Sequence, residues 1–217
     1  IRQLREHIPI DATVSDCSGK HCGFLAVCRH EGYSIENYTE PEHPVQLTVL
    51  GYMSMMTGEP VEGIQIGVDG CSVPVHSIPL AYMAKAYARI ANPYELEEPY
   101  RSTCERIFNA MNAYPEMIAG TDGFCTELMK NTRGKLVGKV GAEAVYCVGL
   151  KDKGIGLAVK IDDGGFRTLY PAVIAALMQL HMLTEEEIIA LKDFAFPFVY
   201  NVLGEKVGEI RANFQLE

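Results

Sequence analysis

Leu136-Val137-Gly138-Lys139-Val140, Ala144-Val145-Tyr146-Cys147-Val148-Gly149-Leu150 and Ile155-Gly156-Leu157-Ala158-Val159-Lys160-Ile161 follow one another with short breaks between them. β-Branched and other apolar residues fill each run, and Lys151-Asp152-Lys153-Gly154 supplies a turn between the last two. The pattern predicts three successive strands in an antiparallel meander. The middle run is apolar nearly throughout, which places it inside a sheet. Lys139 breaks the pattern. A lysine among apolar strand residues is either an edge guard or a functional amine, and Gly138 and Gly141 around it let a ligand or backbone approach. Glu143 stands close enough in sequence to orient it.

Helical periodicity surrounds this meander on both sides. His21 to His30 carries Phe24, Leu25, Val27 and Cys28 at helical spacing and stops at Gly32. Pro44 opens a second helix whose stripe of Val45, Val49, Tyr52, Met53 and Met56 ends at Gly58, with His43 read as its cap and the methionines as core filler. Ser77 is read as the cap of a helix to Ile90, Ser102-Thr103-Cys104-Glu105 as a capping box, and Phe124 to Asn131 as a short helix. After the meander come an Ala-rich helix from Pro171 to His181, a second helix capped by Thr184, and edge strands around Val202 and Val207 to Ile210. Ile1, Leu4 and Ile8 look like one face of a helix already under way, so the chain is expected to begin inside an element.

With 217 residues and no linker, repeat or low-complexity segment, one domain over residues 1–217 is expected. A formal charge of −9 argues against a nucleic-acid partner, which calls for a basic surface. No apolar run approaches the roughly 20 residues that cross a bilayer, and no signal-peptide pattern opens the chain. A cytoplasmic protein without membrane contact is the expectation. Seven scattered cysteines suit reduced thiols better than a disulfide framework.

Two further stretches carry chemistry. Asp16-Cys17-Ser18-Gly19-Lys20-His21-Cys22-Gly23 crowds a thiol, an amine and an imidazole into a first helical turn, where Ser18 or Asp16 can cap free amides. Cys17 and Lys20 are three apart and lean the same way, able to hold one small ligand between them. Ile64 to Pro74 reads as a strand ending in a tight turn that presents Asp69 and Cys71. Each stretch taken alone also fits a plainer role: a solvated lysine on a first turn, a turn aspartate beside a buried cysteine.

Taken together, Cys17-Ser18-Gly19-Lys20-His21, Val68-Asp69-Gly70-Cys71 with Pro74-Val75-His76, and Gly138-Lys139-Val140-Gly141-Ala142-Glu143 with Tyr146 to Leu150 resemble the asparaginase II family, the Rhizobium-type thermolabile L-asparaginases. The likeness runs over essentially the whole chain, including the tail from Asn201 to Phe214. It implies an α+β protein of the serine β-lactamase-like fold, with a central antiparallel sheet flanked by helices in α/β/α layers. It also implies hydrolysis of the L-asparagine side-chain amide to L-aspartate and ammonia. Zinc would be held by Cys17, Lys20 and Cys71, with His21 and Asp69 beside it or touching substrate, and Lys139 would be a catalytic amine. A lysine ligand has to be neutral, which a neighbouring divalent cation favours.

In such enzymes the nucleophiles are serines activated by lysines, one of them in a Ser-x-x-Lys frame, and Lys-Val-Gly at 139–141 resembles the Lys-Thr-Gly strand motif of β-lactamases. The serines are expected before residue 1, so that the chain resembles the carboxyl-terminal two-thirds of a family member. A homodimer is implied as well. Two alternatives stay open: a catalytically silent zinc-binding or interaction protein on the same scaffold, and a metal-free structural remnant.

Overall fold

Among the described residues, glycine closes both α-helices of the amino-terminal part of the chain. The computed structural model describes residue 6 and residues 11–216; the expected Ile1, Leu4 and Ile8 stripe lies outside the described residues. The chain forms two compact units, Ile1–Ile78 and Pro79–Glu217. In the first, α1 (Ser18–Glu31) stops where Gly32 turns left-handed at φ 74° and its amide reaches the Cys28 carbonyl. α2 (Pro44–Thr57) has proline in its first turn, the His43 ring accepting from the Val45 amide, and Gly58 at φ 81° as its end. Val45 of its stripe is buried, as is Leu50 outside the stripe, whereas Tyr52 is exposed. Midway along, Gly51 has open space where a side chain would begin. β1 (Gln65–Val68) and β2 (Pro74–Ser77) follow as an antiparallel hairpin with Val68 opposite Pro74. Ser77 therefore ends a strand and does not cap a helix; Pro79 takes the cap position of the next one.

The second unit is built on the predicted meander. α3 (Leu80–Ala91), α4 (Tyr100–Ala113), α5 (Glu116–Ala119) and α6 (Phe124–Thr132) precede β3 (Leu136–Gly141), β4 (Val145–Leu150) and β5 (Ile155–Lys160), which pair antiparallel in that order. Lys139 faces Cys147, Cys147 faces Ala158, and Gly149 faces Gly156 across the strands. That glycine pair lets α3 lie directly on the sheet. A Cβ on Gly149 would fall on the backbone carbonyl oxygen of Tyr87, and one on Gly156 on that of Ala84. On the other face, Gly138 leaves room for the Tyr146 hydroxyl and Leu128 of α6.

α7 (Phe166–Gln179), α8 (Glu185–Ala190) and α9 (Lys192–Ala195) complete a core in which Leu128, Leu136, Leu169, Ile174, Leu177 and Leu191 are fully buried. Tyr146 is buried among them. Its hydroxyl finds no partner of good geometry, and burial followed by the nearby Cys125 pushes its pKa well up.

Four boundaries differ from the sequence reading. α1 begins at Ser18, three residues before His21. α4 begins at Tyr100, because the Ser102 and Thr103 hydroxyls donate backwards to the Pro99 carbonyl and so do not cap a start. α7 begins at Phe166 and contains Pro171, whose fixed φ is helical but which has no amide to donate back to the preceding turn. The tail makes β6 (Phe198–Tyr200) and β7 (Lys206–Glu209), a two-stranded sheet of its own and not edges of the meander. Thr184 forms the expected capping box with Glu187. Helices combined with small antiparallel sheets make the architecture α+β, and among the described residues no helix is long and apolar enough to cross a membrane.

Candidate metal centre

Cys17 occupies the cap position of α1 at φ −88°, and its side chain caps nothing. Its amide instead donates to Ser15 Oγ at 3.3 Å, so neither Asp16 nor Ser18 fills the capping role expected of it and the thiol is left for other partners. Lys20 follows one turn along. On the β1–β2 hairpin, the Asp69 amide donates to the Val73 carbonyl and the Ser72 amide to the Asp69 carbonyl, each at 2.9 Å. Ser72 adopts φ 74° to close this turn. Asp69 Oδ1 accepts from the Gly70 amide at 2.8 Å. That bond fixes the carboxylate, and its free oxygen, Oδ2, accepts from Lys20 Nζ at 2.9 Å and from Cys71 Sγ at 3.2 Å.

Backbone geometry thus brings helix start and hairpin turn together. One ligand atom each from Cys17, Asp69 and Cys71 lies within 4.8 Å of the others. The hydrogen bonds from Lys20, Cys71 and the Gly70 amide hold the Asp69 pKa down to about 2. Partial burial pulls the Lys20 ammonium down, but Asp69 and Cys71 outweigh it and the net shift is upward. The Cys17 thiol is pushed up by its hydrogen bond with Cys71 and then by desolvation, against the pull of Lys20.

Two thiols and a carboxylate suit a borderline-soft divalent cation such as zinc. Asp69 belongs to this donor cluster, where the sequence suggested only a neighbour. Lys20 is held here as the counterion of Asp69, and it has to shed a proton before it can ligate.

His21 turns to a partner the sequence did not reveal. Its Nδ1 lies 2.7 Å from the Tyr38 hydroxyl, and its ring meets Tyr38 and Phe24 edge to face. Tyr38 sits in a loop without periodicity, so no pattern marked it. Lys139 belongs to the second unit, where its exposed amine donates to the Val140 carbonyl at 2.5 Å. Among the described residues no ion pair joins it to Glu143, whose carboxylate lies against Gly164. All seven cysteines are free thiols: Cys28, Cys104, Cys125 and Cys147 are buried, Cys22 is exposed, and Cys17 and Cys71 lie between.

A comparison with curated proteins found no match. The family model described as L-asparaginase II matches residues 2–212, nearly the entire sequence, and takes in the helix start, the hairpin turn and the Lys139 strand alike. The chain belongs to the L-asparaginase II family.

Proposed function

We propose that this protein hydrolyses the side-chain amide of L-asparagine to L-aspartate and ammonia. The family match over residues 2–212 carries the reading, and the thiol and carboxylate cluster supports its metal-dependent part. Cys17, Lys20 and Cys71 would hold zinc, with Asp69 as a further donor in the same cluster. When bound, it supplies a positive centre that orients substrate or stabilises developing charge. Lys139, with glycines on either side of it, acts as the amine that removes a serine proton. The serine oxygen attacks the amide carbon, the proton passes to the leaving ammonia, and water then cleaves the ester. The resemblance matches that serine to none of residues 1–217. The fold in this reading is serine β-lactamase-like, the working form a homodimer, and the location cytoplasmic.

The test measures ammonia release from L-asparagine, with the metal content of the same sample, in protein that carries such a serine. Lys139→Ala is expected to lower turnover by about 10²-fold or more while zinc stays stoichiometric. Zinc at full occupancy with no ammonia released by the unsubstituted protein would overturn the reading in favour of a silent metal-binding protein.

A further inference from the structure

Cys17 and Cys71 are brought side by side although 54 positions separate them in sequence. Their sulfurs and an Asp69 oxygen lie within 4.8 Å of one another. A disulfide needs an S–S separation of about 2.05 Å, so closure asks for a movement of at most about 3 Å. The segment that would move is suited to it. Gly70 has open space around it, and Gly70 and Ser72, the neighbours of Cys71 in the turn, are both exposed. Competing thiols are few. Cys28, Cys104, Cys125 and Cys147 are buried, and Cys22 lies five residues beyond Cys17, which turns it to a different side of α1.

We propose that Cys17 and Cys71, when they hold no metal, are an oxidisable pair that closes to an intramolecular disulfide with a small-molecule disulfide such as oxidised glutathione. One of the two sulfurs, as thiolate, attacks the glutathione disulfide, forming a mixed disulfide and releasing one glutathione thiolate. The other protein sulfur then displaces the second glutathione. Two protein S–H bonds are exchanged for one S–S bond, the two protons go to the glutathione thiolates, and oxidised glutathione is reduced to two thiols. The closed form can no longer offer two thiolates to a metal, so oxidation and metal loading exclude each other. That last part rests on the zinc reading above.

Chelator-treated protein is exposed to excess oxidised glutathione without oxygen, its thiols are counted, and its mass and proteolytic fragments are determined. The expected result is loss of the Cys17 and Cys71 thiols, no glutathione retained on either, and one fragment linking the Cys17 and Cys71 peptides. Cys71→Ser is expected to retain a single glutathione on Cys17. Seven thiols surviving, stable glutathione adducts on Cys17 or Cys71 of the unsubstituted protein, or a link through Cys22 would each overturn the pairing. Pre-incubation with zinc separates the two claims. A link that forms equally with and without zinc, on a protein that takes up none, sinks the metal reading and leaves the pairing. Zinc uptake with no link after chelation sinks the pairing and leaves the metal reading.

Discussion

Asp69 shows how much one carboxylate can organise when the backbone immobilises it. Its Oδ1 is tied to the next amide, so its Oδ2 has a fixed position and gathers a lysine and a cysteine from different elements. The pKa of about 2 lies below the ordinary 3.8, so the folded state favours the ionised form. The stabilisation is therefore complete above about pH 4 and is lost as pH falls through about 2. Its size is modest, because more than a third of the side chain is in solvent. In metal-free protein, the Asp69 carboxyl followed by NMR is expected to titrate near 2 and to move upward in Lys20→Met. A midpoint near 4 without any substitution would show that the network does not hold in solution. Sequence alone revealed the turn at Asp69, because glycine beside aspartate marks one. It did not reveal that the carboxylate would join the donor cluster, which depends on where α1 places Lys20 and Cys17.

Elements were legible wherever their ends are fixed by neighbours in the chain. Gly32, Gly58 and the Thr184 box act within a few residues, and each ended or began a helix where the pattern said. Ser102 carried the same local signal and was overruled, because Tyr100 and Arg101 already continue the helix backwards to Pro99. The three-strand meander was equally readable, but the seating of α3 on Gly149 and Gly156 was not, since contact between distant elements leaves no periodicity. That seating makes a firm prediction. Gly156→Ala sets a methyl group against backbone, which cannot rotate away, and is expected to cost about 2 kcal/mol or more in urea unfolding. Thr184→Ala, which removes one cap, is expected to cost about 1 kcal/mol. Equal losses for the two would mean that α3 shifts freely over the sheet.

No change of composition marks the passage from the first unit to the second at Ile78 and Pro79. The chain passes straight from a strand into a helix, so the division follows from packing and not from any linker. Burial likewise separated the thiols: the motifs marked Cys17 and Cys71, which share a cluster, while four of the other five cysteines are sealed in, a division that no motif announced.

The glycines of this chain serve unlike purposes, and the contrast tells a protein engineer where to intervene. Alanine is barred at 149 and 156, where helix and sheet already touch. Gly51, inside α2 with vacant surroundings, has no such duty. Exchanging it for alanine trims the freedom of the denatured chain and raises helicity, a gain of about 0.5–1 kcal/mol. Heat tolerance can thus be added far along the sequence from the sulfurs and the strand lysine, leaving their chemistry as it was.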